Sequence, residues 1–154
     1  GRFWPARNRP PTRAATGTRA RIRRGRAILT ATRDSLPGHV GNALRCTSCH
    51  LDEGTRANAM PWVGVFGQFP QYRSREGVIF RLEDRINGCL RRSMNGSPLP
   101  LEHPAMRDMV AYMAFLSRGT PVGATLPGQG LPHGLRITIG TEDEIVEKEI
   151  VGAL

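Results

Sequence analysis

The sequence predicts an all-α fold: one helical domain over residues 22–125, between an Arg-rich arm (1–21) and an atypical tail (126–154), with both ends flexible. Three observations carry this expectation. Two segments, Ile22–Arg33 and Pro104–Arg118, space their apolar residues as one face of an amphipathic helix. The stretches between them are rich in Gly and Pro and read mostly as loops. The chain of 154 residues, 39% apolar and 23% charged, holds one core and lies near the globular norm.

Residues 1–21 are Pro- and Arg-rich without helical or strand period, and read as a disordered arm. The net charge of +9 is concentrated there: residues 1–33 carry ten Arg and no acid. Residues 34–141 are nearly balanced, with 11 basic and 8 acidic groups, and residues 142–154 hold five acids against Lys148. Guanidinium groups neutralise phosphates, but no folded nucleic-acid motif follows the arm, so nucleic acid is not an expected partner. No apolar run approaches the roughly 18–20 residues of a membrane-spanning helix, and no signal-peptide core is visible.

In the first helix, Ile22, Ala27, Ile28 and Leu29 share a face, with Arg23, Arg24, Arg26 and Arg33 opposite. Gly25 costs such a helix about 1 kcal/mol relative to Ala, so its presence predicts close approach of another backbone, that of helix 104–118. Leu36-Pro37-Gly38 ends the helix, and a loop with Asn42 leads to a cysteine pair. Residues 61–80 read as an aromatic loop region, with Trp62, Phe66, Phe69, Tyr72 and Phe80 walling the site. A short helix is expected over Gly77–Leu90, with Val78, Leu82, Ile86 and Leu90 on one side. Asn95-Gly96 and Pro98/Pro100 mark a loop. In the last helix Met106, Met109, Val110, Met113 and Leu116 form an apolar stripe, Pro104 suits the first turn, and Gly119 with Pro121 stops it. Beyond it, Leu135–Ile139 alternates like a strand, and Thr141-Glu-Asp-Glu144 has the form of a capping box opening a short acidic helix.

Chemistry concentrates in Cys46-Thr47-Ser48-Cys49-His50. Cys-x-x-Cys-His is the c-type haem attachment pattern. On one helical turn, thiols at i and i+3 point the same way and can each form a thioether with a haem vinyl group, while the following imidazole takes the iron as proximal ligand. A zinc site wants a second ligand pair at short range, and Cys89 and His103 are isolated. A thioredoxin-like site wants a βαβ setting, which the preceding helix and loop do not supply. The residues therefore predict one covalently attached haem c, held by Cys46, Cys49 and His50. Pro61 is expected near His50, where a backbone carbonyl accepts from the imidazole N–H and sets its tautomer. Candidates for the sixth iron ligand are Met60, Cys89, Met94, His103 and the helical methionines, whose spacing reads as core packing. A thiolate lowers the reduction potential and a thioether raises it; on chemistry alone Cys89 and Met94 stand even.

Several dense motifs then resemble one family: Gly41-Asn42-x-Leu44-x-Cys46-x-x-Cys49-His50-Leu51, Pro61-Trp62-x-Gly64-Val65, Phe69-Pro70-x-Tyr72-Arg73-x-Arg75, Arg85-Ile86-Asn87-Gly88-Cys89, and Arg92-Ser93-Met94-Asn95-Gly96-x-Pro98-Leu99-Pro100. Over about Ile22–Thr125 the chain resembles the thiosulfate dehydrogenase family of c-type cytochromes. The resemblance implies a cytochrome c fold and an exported, periplasmic protein. It implies His50 and Cys89 as the iron ligands, with Met94 the alternative. It also implies Arg75 and Arg85, beside Cys89, as residues holding an anionic sulfur substrate. Paired guanidiniums suit that role through forked, charge-assisted hydrogen bonds, although either alone also suits a solvated helix face or a haem propionate.

Two departures shape the functional expectation. Family enzymes typically carry two haems, and one Cys-x-x-Cys-His stands here. The primary expectation is therefore a monohaem electron carrier in sulfur-compound oxidation, with another cytochrome or an oxidase as redox partner. The alternative is an oxidoreductase that couples two thiosulfates to tetrathionate at the Cys89 face and needs an additional electron relay. The tail is the second departure: residues 135–142 resemble the carboxyl end of histidinol-phosphate-type aminotransferases. That chemistry needs a Schiff-base lysine in a large fold, and Lys148 is the only lysine, within the tail itself. Aminotransferase activity is excluded, and a gene-fusion or frame artefact accounts for the tail more easily.

Overall fold

The computed structural model describes residues 13–74 and 76–129, together with two short strands, Thr138–Ile139 and Val146–Glu147. Helix α1 spans Arg13–Thr30, and a single turn, α2 (Thr32–Ser35), follows it. The segment called α3 (Leu51–Gly54) is one turn with left-handed residues inside it. A hairpin pairs β1 (Gln71–Arg73) with β2 (Val78–Phe80), and helices α4 (Leu82–Arg92) and α5 (Pro104–Leu116) complete the domain. Strands β3 (Thr138–Ile139) and β4 (Val146–Glu147) pair antiparallel. Among the described residues no helix is long and apolar enough to cross a membrane.

The first helix begins at Arg13, nine residues before its apolar period and inside the segment expected as an unstructured arm. Periodicity reports packing, and residues 17–19 and 21 are exposed; Ala and Arg favour helix without burying a face. The α1–α5 crossing follows the Gly25 expectation. A Cβ at Gly25 would lie 1.9 Å from the Asp108 carbonyl oxygen, so the backbones approach as only glycine allows. Arg24 locks the crossing, donating from Nε and Nη2 to the two carboxylate oxygens of buried Asp108 at 2.6 and 3.1 Å. Leu29 of α1 and Met106 and Met109 of α5 are fully buried, joined in the core by Leu90, Met94, Trp62 and Tyr112.

The middle differs from the expectation in two places. Residues 78–80 form a strand where a helix was expected, because Val78-Ile79-Phe80 is a β-branched and aromatic run. Helix α4 starts only at Leu82, where the Asp84 carboxylate accepts from the Arg81 N–H at 2.9 Å. The aromatic wall is also incomplete. Trp62 is buried and Phe69 packs against the core, but Phe66 is exposed and Tyr72 stands opposite Ile79 on the solvent side of the hairpin. Alternation of side chains across a two-stranded ribbon forces one face outward.

Helix α5 keeps its expected start. Pro104 occupies the first turn, and His103 Nδ1 accepts from the Ala105 N–H at 3.2 Å as the N-cap. In the tail, Thr138–Ile139 agrees with the strand reading. Val146–Glu147 is a strand rather than part of an acidic helix, a register that suits its β-branched Val146; residues 141–145 lie outside the described residues.

Candidate functional site

Cys46–Ser48 form a single 3₁₀ turn whose carbonyls are used at once: the Cys46 carbonyl accepts from the Cys49 N–H at 3.3 Å and from the His50 N–H at 3.0 Å. Both thiols and the imidazole therefore leave one compact turn. Its entry is anchored by fully buried Thr32, whose hydroxyl oxygen accepts from the Cys46 N–H at 3.0 Å. The preceding loop is held in turn by Asn42, which accepts from the Leu44 N–H and donates to the Ser93 carbonyl, both at 3.0 Å.

These contacts tie the loop before Cys46 to the loop after α4. The Gly41 N–H donates to the Met94 carbonyl at 2.9 Å, and a Cβ on Gly41 would sit 1.9 Å from the Asn95 carbonyl oxygen. Gly96 meets the other side, where a Cβ would lie 2.0 Å from the His39 carbonyl oxygen. Two glycines thus let the backbones touch, and the contact brings α4, with Cys89, beside the cysteine pair. Cys89 is near enough that its charge raises the pKa of both Cys46 and Cys49.

Burial pushes the Cys46 thiol up to about 11, with the Thr32 hydrogen bond opposing. Burial also pushes up the more exposed Cys49. His50 moves the other way: burial lowers its pKa, the Met60 hydrogen bond opposes, and the nearby Arg85 charge lowers it further. The neutral ring points Nδ1 at the Met60 carbonyl oxygen, 2.5 Å away, and leaves Nε2 as the lone-pair donor a metal requires. The accepting carbonyl is that of Met60, directly before Pro61, so Met60 belongs to the His50 side. Trp62 flanks the ring at 4.9 Å between centroids.

The other sequence candidates separate cleanly. Met94 is buried in the core cluster, and its N–H caps α4 on the Cys89 carbonyl at 3.1 Å. Met106, Met109 and Met113 are core, as their spacing indicates. His103 caps α5 and faces His39, 6.2 Å between ring centroids. Arg85 lies one turn before Cys89 on α4, exposed, while Arg75 lies outside the described residues. Sequence reasoning missed Thr32, Trp62 as the His50 neighbour, and Asn87, whose amide spans both backbone groups of Leu99 at 2.9 and 2.8 Å. Nothing local marks Thr32; Asn87 stands in a motif whose reason is now visible.

The donor set fits haem c. It offers two thiols three positions apart on one turn, a neutral imidazole with Nδ1 engaged, a third thiol on the facing helix, and largely apolar surroundings. Among the described residues no three His, Cys, Asp or Glu side chains converge as an ion site.

Comparison with known proteins points the same way. The family model described as the SoxA/TsdA cytochrome c domain matches residues 38–122. The thiosulfate dehydrogenase of Allochromatium vinosum is 52% identical over 115 residues, covering 72% of this chain and 43% of that protein. That of Psychrobacter arcticus is 45% identical over 111 residues, covering 72% and 34%. The thiosulfate dehydrogenase TsdBA structure from Marichromatium purpuratum superposes with a TM-score of 0.72 at 29% identity, over 87% of this chain and 31% of that one. The chain thus spans less than half the length of these relatives. With over half its residues in the family match, and a turn built to carry haem c, this chain belongs to the SoxA/TsdA cytochrome c domain family.

Proposed function

We propose that the chain is a monohaem c-type cytochrome domain that transfers single electrons in sulfur-compound oxidation. One haem is attached through Cys46 and Cys49, with His50 as one axial ligand and Cys89 as the other. The observation that carries this is the pairing of His50 Nδ1 with the Met60 carbonyl, which aims the free nitrogen from the same turn that presents the two thiols. Cys89 is favoured over Met94 because it lies close to both attachment thiols, whereas the Met94 side chain is packed in the core. When bound, haem supplies one-electron redox chemistry; the protein binds it, holds the imidazole tautomer and limits water around it.

Export to the periplasm and exchange with a second cytochrome or an oxidase belong to the same proposal, supported by relatives named thiosulfate dehydrogenase. Optical and EPR spectra of haem-matured protein test it. A low-spin His/thiolate signal lost in Cys89→Ala is expected; a thioether-type signal assigns Met94 instead, and failure to attach haem overturns the reading.

One observation favours a second reading as a thiosulfate-coupling oxidoreductase. Arg85 stands beside Cys89 on α4 with no ion-pair partner among the described residues, so its guanidinium is free to take a sulfur oxyanion. Joining two thiosulfates through an S–S bond as tetrathionate releases two electrons, one more than a single haem accepts, so a redox partner must accept electrons between steps. Thiosulfate-dependent haem reduction, lost in Cys89→Ala and weakened in Arg85→Gln, distinguishes this from a plain carrier, which shows none.

A further inference from the structure

The backbone immediately after His50 is left-handed at three consecutive residues: Asp52 at φ 49°, Glu53 at φ 57° and Gly54 at φ 80°. Glycine takes this conformation freely, but two successive carboxylate residues take it only where their surroundings enforce it. The enforcing contacts come from both crossing helices. From α1, Arg26 donates through Nε and Nη2 to the two carboxylate oxygens of Glu53, each at 2.7 Å. From α5, the Tyr112 hydroxyl donates to the Glu53 carbonyl at 3.2 Å. Within the segment, Arg56 pairs with Asp52 at 2.9 Å, and the Trp62 N–H donates to the Gly54 carbonyl at 2.7 Å.

The turn and the His50 ring are mechanically one piece. The Gly54 N–H donates to the His50 carbonyl at 3.1 Å. The Trp62 ring lies on Gly54, where a Cβ would meet it at 1.9 Å, and Trp62 also flanks the imidazole. Any rotation of the turn therefore shifts both the His50 backbone and the indole beside its ring. The Arg26–Glu53 pair is solvent-exposed, at 57% and 40% of the side chains, so its worth to global stability is small. A two-pronged contact still sets direction, which a single-point charge contact does not.

We propose that Arg26 is a positioning residue for His50: its forked pair with Glu53 holds the left-handed turn that aims the imidazole. The proposal rests on His50 being the axial ligand. The test is acid titration of ferric, haem-matured protein, following the low-spin to high-spin change, with urea unfolding measured alongside. R26Q and E53Q are each expected to raise the midpoint by about one pH unit, a roughly tenfold easier loss of His50, in the range found when partners of a metal-bound imidazole are removed. Urea unfolding at neutral pH stays close to wild type. R26K, which keeps charge without the fork, gives an intermediate shift and carries the comparison if R26Q yields no holoprotein. The exchange R26E with E53R restores the wild-type midpoint. R107Q, which removes the exposed Arg107–Glu102 pair elsewhere on α5, leaves it unmoved.

Wild-type midpoints in R26Q and E53Q overturn the positioning role, as does an equal shift in R107Q. A shift accompanied by a matching loss of stability also overturns it, since that marks a merely structural contact. An unchanged spectrum in H50A overturns the ligand assignment itself, and the proposal with it. A changed H50A spectrum with unmoved R26Q and E53Q overturns the positioning role alone.

Discussion

Asn87 closes the loop behind Cys89 with one side chain, donating to the Leu99 carbonyl and accepting from the Leu99 N–H while 6% exposed. Asn87→Ala leaves two buried backbone groups unpaired, and each such group costs about 1–3 kcal/mol. Urea unfolding of the haem-loaded protein is expected to show a loss of about 3 kcal/mol, and a loss below about 1 kcal/mol would contradict this account. Glu53 gives a prediction in pH. The Arg26 hydrogen bond holds its carboxyl below the ordinary 4.5, so the folded state favours the charged form. Its stabilising contribution is complete above that value and disappears as pH falls through the lowered one. Stability measured from pH 6 to pH 3 should fall less steeply in Glu53→Gln than in wild type. The two attachment thiols differ as well. In haem-free protein, burial of Cys46, with its pKa near 11, should make alkylation at neutral pH slower there than at exposed Cys49, as peptide mass mapping will show.

Among the elements, the α1–α5 crossing depends on the absence of a side chain at Gly25. Gly25→Ala places a Cβ against the Asp108 backbone, which cannot swing aside like a flexible side chain. Strain of this kind costs about 1–3 kcal/mol, more than the gain in helix propensity of about 1 kcal/mol, so net destabilisation is expected in thermal unfolding. The same substitution at Gly17, where nothing among the described residues lies within 4 Å, should stabilise instead. The crossing was legible in the sequence because Gly25 interrupts an otherwise good helix, which points to a contact. The β1–β2 hairpin was not legible: its strands are three residues each, shorter than a period-2 pattern needs to stand out. The start of α1 was missed for a different reason, since residues 17–19 and 21 are exposed on the helix and leave no apolar period to read.

For the molecule as a whole, the candidate site is an assembly of long-range backbone contacts around one local motif. Folding should therefore depend on the cofactor: a Cys46→Ser/Cys49→Ser chain is expected to unfold at lower temperature and less cooperatively than the haem-loaded protein, by circular dichroism. Equal melting of the two would show that the core of Leu29, Leu90, Met106 and Met109 suffices alone. The sequence by itself determined the chemistry and the helical class. Cys-x-x-Cys-His is local, so its three donors share one turn wherever the chain folds, and apolar periodicity needs only neighbours to be read. Tertiary structure decided what faces that turn: Cys89 through the Gly41 and Gly96 contacts, the Met60 carbonyl on His50, and Arg26 reaching Glu53 from α1. Those pairings join residues distant along the chain or held in left-handed backbone, and no window of sequence contains the packing that enforces them.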